Sequence, residues 1–177
     1  MKIIFRVFII LEKKLFSYLN PINVRLYMKW YNAFLRKRGV QIVPYHGQGY
    51  IDPSAYFDSS DYRLISIGDN VTISKEVMLL THDYSIYNGL NAIGQNPNDK
   101  RYRFLKKISI GSNTFIGARS FILPGTTIGS NVIIGAASVV KGNISDNTVW
   151  AGNPAKKIMS IEDFASRHIN KNDYFEV

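Results

Sequence analysis

Between Ile67 and Ser145 the sequence can be written in sixes. The units are IGDNVT from Ile67, ISKEVM from Ile73 and LLTHDY from Leu79. After a gap come IGSNTF from Ile110, IGARSF from Ile116, ILPGTT from Ile122, IGSNVI from Ile128, IGAASV from Ile134 and VKGNIS from Val140. An aliphatic residue opens every unit, and in most of them a small residue stands second and a small or β-branched one fifth. A helix would show a period of 3.6, and a β-sandwich would alternate with period two and turn every 8 to 12 residues. Neither pattern is present. A period of six is satisfied when each unit is a short strand plus a turn and three units close one triangular coil. Aliphatic residues then stack in columns along the axis of a parallel β-helix. Gly68, Gly111, Gly117, Gly129 and Gly135 fall at its corners, where a Cβ would crowd the turn.

The repeat is interrupted once. Leu79 and Ile110 open neighbouring units, yet about 25 extra residues separate them, roughly 83–107. This insert, with SIYNGLNAIGQNPNDKRYRF at its centre, is turn-rich, polar and aromatic, as expected of a functional excursion leaving a rigid scaffold. The residue in front of it is His82.

The two ends do not follow the repeat. Residues 1–45 carry nine Lys or Arg against Glu12 alone, whereas 46–177 are nearly neutral, so most of the net charge of +9 sits in the first quarter. Lys2, Arg6, Lys13 and Ser17 fall on a narrow polar stripe of an otherwise apolar helix. Asn20 as N-cap and Pro21 as first residue then open a second amphipathic helix ending near Gly39. The two helices suit either packing on the main domain or a neighbouring subunit, or a peripheral contact with anionic lipid. At the other end SIEDFASRHI reads as a short helix capped by Ser160 with Asp163 at N3. The expected division is a basic helical segment 1–45, a β-helix domain 46–158 and a C-terminal helix and tail 159–177.

Several classes are excluded on composition. Without cysteine there is no disulfide frame, thiolate zinc site or cysteine nucleophile. The apolar opening is broken by Arg6 and lacks a small-residue cleavage site, so a cleaved signal is not expected. No apolar run reaches the roughly 18 residues of a membrane span. The basic segment comes with no recognised nucleic-acid module, and no such partner is expected.

The six-residue repeat, the Thr81–His82 pair before the long insert, TFIGARSFILPGTTIGSNVIIGAASVV and the closing AGNPAKKI together resemble the hexapeptide-repeat acetyltransferases, from about Asp52 to Ile158. The likeness is greatest to sugar and polysaccharide O-acetyltransferases of the galactoside and maltose type. It implies a mainly β fold, a left-handed parallel β-helix, with N-terminal helices, one long excursion loop and a short C-terminal helix. It also implies a homotrimer with active sites between subunits, acetyl-CoA as co-substrate without a catalytic metal, and a cytoplasmic location, with residues 1–45 able to rest on the inner face of the membrane. The expected reaction is acetyl transfer to a hydroxyl of a sugar or cell-surface polysaccharide precursor. Alternatives are N-acetylation of an amino sugar or sugar nucleotide, and a non-catalytic trimeric scaffold. A zinc hydratase on such a coil needs three converging histidines, and His46 and His168 are wrongly placed for that.

Attack of a hydroxyl on a thioester needs a base, and histidine has the unperturbed pKa nearest neutrality, about 6.5. His82 alone among the three histidines stands on the repeat scaffold, at the position of the family's base. Asp83 beside it is the candidate to hold the ring, and Asp52, Asp58, Asp61 and Tyr84 are candidates for the acceptor. By correspondence with the family, the backbone N–H of Ala118 serves the oxyanion. Phe115 walls the pantetheine where many relatives have tryptophan. Gly117, Ala118, Gly135, Ala136 and Ser138 offer it backbone groups, and Lys141, Lys156 and Lys157 meet the coenzyme's phosphates.

Overall fold

The computed structural model describes residues 16, 18–58, 60–96 and 98–176. Apart from Phe16, the first amphipathic helix of the sequence reading lies outside the described residues. Three parallel sheets wrap one core. The first face holds β1 (Gln41–Ile42), β4 (Ile65–Ile67), β9 (Ile108–Ile110), β12 (Thr127–Ile128) and β15 (Asn143–Ile144). The second holds β2 (Tyr50–Ile51), β5 (Thr72–Ile73), β10 (Phe115–Ile116), β13 (Ile133–Ile134) and β16 (Thr148–Ala151), and the third β3 (Tyr56–Phe57), β6 (Met78–Leu79), β11 (Phe121–Ile122) and β14 (Val139–Val140). Most strands are two residues long and send one side chain inward before the chain turns a corner, whereas β4 and β9 send two.

Those inward residues stand in register. Ile67, Ile110, Ile128 and Ile144 pair in series on the first face, Ile51, Ile73, Ile116 and Ile134 on the second, and Phe57, Leu79, Ile122 and Val140 on the third. None of the twelve exceeds 4% exposure, so the repeat's first position is the core. Corner duties are divided between two residue types. A Cβ on Gly111 would lie 2.5 Å from the carbonyl carbon of Gly129 in the next coil, so glycine is required for close approach rather than for its φ. Left-handed backbone falls two residues later, at Asn70, Asn113, Asn131 and Asn147, with φ of 49° to 58°. Asparagine tolerates that conformation. Their amides join in a ladder at 3.0, 2.8 and 2.8 Å.

Helix α1 (Val24–Lys37) closes the open end of the first coil. Its N-cap is Asn23, whose side chain accepts from Leu26 N–H at 2.9 Å. The start expected at Asn20 is thus displaced by three residues, because Leu19 O accepts from both Ile22 and Asn23 N–H in an intervening turn. Tyr27, Met28, Tyr31 and Leu35 are buried against the coil. Ile51 exposes its N–H and C=O on the unpaired edge of β2, and α1 satisfies both: Tyr27 O–H donates to Ile51 O at 2.5 Å, and Met28 Sδ accepts from Ile51 N–H at 3.2 Å. Helix packing, the first of the two uses open to the basic segment, therefore holds for residues 24–37.

The excursion is more ordered than a turn-rich loop. It leaves along β7 (His82–Asp83), forms α2 (Ser85–Ala92) and returns along β8 (Phe104–Leu105), antiparallel to β7. Beyond the last coil β17 (Lys156–Ser160) turns back antiparallel on β16 and extends the second sheet by one strand. α3 (Ile161–Lys171) then runs along the outside of that face, where Ile161, Phe164 and Ala165 line a cleft with Thr72, Phe115 and Ile133, and is capped as expected by Ser160 Oγ accepting from Asp163 N–H at 3.0 Å.

Corner packing yields a direct test. Gly111→Ala is expected to cost about 1–3 kcal/mol, because the neighbouring coil's backbone must shift. Gly89→Ala, on α2 with nothing within 4 Å of the new methyl, should be neutral or stabilising by up to about 1 kcal/mol. Thermal denaturation of both variants would check the contrast.

Candidate active site

Asp58 follows β3 at the corner where the third face passes into the first, and Thr81 and His82 follow β6 at the same corner of the next coil. Pairing of β3 with β6 brings the three together. Asp58 Oδ2 accepts from Thr81 N–H at 2.9 Å, Thr81 Oγ1 at 2.8 Å, His82 N–H at 3.0 Å and His82 Nδ1, while Oδ1 accepts from Ser60 N–H at 3.0 Å. Burial pushes this carboxyl up, but the hydrogen bonds from His82, Thr81 and Ser60 outweigh it and hold its pKa down at about 2. An ionised carboxylate only accepts, so the proton between the two groups belongs to Nδ1 and the lone pair of the neutral ring is on Nε2. Asp58 is 1% exposed and the His82 side chain 28%. The ring is thus anchored at one nitrogen and reachable at the other.

Other residues frame it. Ser60 Oγ lies 3.0 Å from Nδ1 and accepts from Arg103 Nη1 at 3.3 Å, and the Tyr84 ring stands edge-on to the imidazole at 5.5 Å. Ser60 and Arg103 escaped the sequence reading, and Thr81 entered it only as half of the Thr81–His82 pair.

Asp83 is not the ring's partner. Successive side chains of a strand point to opposite sides, so the residue after His82 in β7 faces away. Its Oδ1 accepts from Ser85 N–H at 2.7 Å at the start of α2, a bond that also lowers its pKa. Asp58, read as an acceptor ligand, takes the orienting position instead. Asp61 is paired with Arg63 at 2.8 Å. Asp52 sits at another corner, between the second and third faces, accepting from Ser54 N–H at 2.9 Å, Ser54 Oγ at 2.6 Å and Tyr50 O–H at 3.1 Å.

The residues matched to the coenzyme also divide by corner. Gly117, Ala118, Gly135 and Ala136 stack between the second and third faces, and a Cβ on Gly117 would lie 2.5 Å from Ala136 N. Ala118 O accepts from Ala137 N–H at 2.9 Å, whereas Ala118 N–H makes no hydrogen bond among the described residues. Phe115 is 44% exposed on the outer side of β10. Ser138 is fully buried: its Oγ donates to Gly135 O at 2.6 Å and accepts from Gly152 N–H at 3.1 Å, and its N–H reaches Ser120 Oγ at 3.3 Å. It therefore offers nothing to a ligand outside the coil. Lys141 stands on His82's own edge, two coils further on, and its charge helps lower Asp83. Lys156 and Lys157 are exposed on β17, opposite Ala151 and Trp150. His82 and Ala118 thus occupy different corners, separated by the third face.

The remaining histidines lie elsewhere. His46 is exposed, and His168 Nδ1 lies 2.7 Å from Asp173 Oδ1 with its ring against Phe164. No three His, Asp or Glu side chains converge as a metal site among the described residues.

A hexapeptide coil with a carboxylate-oriented histidine on its edge is an arrangement suited to proton transfer during group transfer. Comparison with known proteins agrees. The model of the family described as bacterial transferase hexapeptide (six repeats) matches residues 107–142. Protein CapG of Staphylococcus aureus is 42% identical over 140 residues, covering 79% of this chain and 77% of that protein. Galactoside O-acetyltransferase of Escherichia coli K12 is 38% identical over 114 residues, 64% of this chain and only 52% of that enzyme. Among solved structures, a galactoside acetyltransferase in complex with coenzyme A superposes with a TM-score of 0.59 at 26% identity, covering 94% of this chain and 84% of that one. The chain belongs to the hexapeptide-repeat acetyltransferases. It is an acyltransferase built on that family's left-handed parallel β-helix.

The Asp58 carboxylate also sets a pH dependence of stability. Its folded pKa lies below the ordinary value of about 3.9, so its contribution is complete above that value and is lost as pH falls through about 2. Wild type should lose on the order of 2 kcal/mol more than Asp58→Asn across this window. Urea midpoints measured from pH 5 to pH 2 would show it as steeper acid destabilisation of the wild type.

Proposed function

We propose that the protein transfers the acetyl group of acetyl-CoA to a hydroxyl of a sugar or cell-surface polysaccharide precursor, with His82 as general base. The observation that carries this is the Asp58–His82 pair, a histidine held in one tautomer with its second nitrogen reachable at the edge of a hexapeptide coil. Nε2 takes the proton of the acceptor hydroxyl as its oxygen attacks the thioester carbonyl. The C–O bond forms, the tetrahedral oxyanion collapses, the C–S bond breaks and the coenzyme thiolate takes the proton back from Nε2. Asp58 stabilises the transient imidazolium and keeps the ring in place. Tyr84, Ser60 and Arg103 border the acceptor.

The free N–H of Ala118 suits the oxyanion, but its corner is not His82's corner. A complete site then needs the His82 edge of one copy against the Ala118 edge of another, which supports a homotrimer. In that arrangement Phe115, Gly117, Gly135 and Ala136 line the pantetheine, and Lys141, Lys156 and Lys157 are the cations available to the phosphates. Residues 46–158 form the catalytic unit, flanked by 1–45, whose β1 (Gln41–Ile42) joins its first face, and by 159–177. The donor is a cytoplasmic metabolite, so the reaction belongs on that side of the membrane.

His82→Ala is expected to fold and assemble but to lose at least about 10² in kcat. Asp58→Asn, which leaves the wrong tautomer, should lose on the order of 10²–10⁴ with little change in KM for acetyl-CoA. Thiol release from acetyl-CoA against a panel of sugars and oligosaccharides reads both. Near-normal turnover of His82→Ala would end the assignment.

A further inference from the structure

We infer that the outer face of α1 is a docking surface for an anionic lipid bilayer. The rotation of this helix is fixed by Tyr27, Met28, Tyr31 and Leu35, which are 0–2% exposed against the first coil. Helical spacing then turns Leu26, Trp30 and Ala33 outward, beside Ile22 in the preceding turn. Ile22, Leu26 and Trp30 are 78%, 43% and 57% exposed. Arg25, Lys29, Arg36 and Lys37 share the face. None of the four forms an ion pair among the described residues, and no acidic residue occurs between Glu12 and Asp52.

Apolar side chains and cations on one side of a helix match both layers of a bilayer surface: the indole and aliphatic groups enter at headgroup level while the cations meet lipid phosphates. A second copy is a poorer occupant. Residues 46–177 are nearly neutral overall, so another copy brings no matching excess of acid to offset the four cations. The bilayer also suits the position of the active site. α1 seals the first coil and His82 follows the second, so roughly 20 Å, one helix diameter plus two strand spacings, separates the site from the lipid surface. Resting on the proposed reaction, this favours an acceptor carried on a lipid anchor.

Sedimentation of the full chain with phosphatidylcholine vesicles, with and without phosphatidylglycerol, tests the surface without involving catalysis. Binding is expected only to the anionic vesicles and should weaken with salt. Lys29→Gln and Lys37→Gln should each reduce it about fivefold. Trp30→Ser should reduce it about tenfold. Acetyl transfer to a soluble acceptor should be unchanged in all three variants. Equal binding to both vesicle types, or unaltered binding by the variants, would overturn the inference. So would a change in assembly mass in place of lost vesicle binding, which would make the face a subunit contact.

Discussion

Successive coils stand about 4.8 Å apart, the spacing of backbone ladders, and little in this protein escapes that distance. It leaves no room for a Cβ where Gly111 meets Gly129 or where Gly117 meets Ala136. It also presses the inward residues into continuous columns, so a strand of two residues is fully paired on both sides and buried on one. Register cannot slip without sending a whole column to solvent. That rigidity is what lets residues 24 positions apart, Asp58 and His82, meet side chain to side chain. The ladder fixes the backbone of both, and the side chains have only to bridge one coil.

The same constraint explains why the chain tolerates a large insert where it does. Leu79 pairs with Phe57 on one side and, on the other, with Ile122 beyond the excursion, as if nothing intervened. Corner residues lie outside the ladder, and a corner can therefore open into β7, α2 and β8 without disturbing the columns. The proposed base stands there because a corner side chain is both rigidly based and free to project. A stacked coil has a matching weakness in its two open ends, each a row of unpaired strand groups over an uncovered core. α1 covers one end with Tyr27 and Met28, and at the other the antiparallel β17 pairs the edge of β16.

Much of this was legible in the sequence because a period of six has few physical solutions. The columns, the glycine corners, the excursion after His82 and the Ser160 cap could all be read directly. The first coil could not. YIDPSA and YFDSSD, from Tyr50 and Tyr56, form a six-residue repeat of their own, but with aromatic residues ahead of the inward position and no glycine after it. Ile51 follows Ile42 at a spacing of nine rather than six. With the frame beginning only at Ile67, Asp58 had no position relative to His82, and the neighbour in sequence, Asp83, stood in for the neighbour in space. Strand alternation alone argues against Asp83, since a carboxylate next to a strand histidine points the other way. Ser138 misled for a related reason: small residues read as open surface, yet this one lies inside the corner and ties Gly135 to Gly152.

The division of the proposed catalytic groups between two corners follows from the same geometry. A triangular coil presents each corner to a different direction, so a base on one and an oxyanion donor on another cannot converge within one chain, however the side chains rotate. Bringing together two prisms edge to edge solves this without moving either backbone. Under the proposed function it would also give the coenzyme a groove whose walls are the small corner residues of one copy and the His82–Lys141 edge of the next. On this argument assembly is part of the chemistry. The Asp58–His82 pair is complete in each chain, and under the proposed function the atom it acts on would be held only where two chains meet.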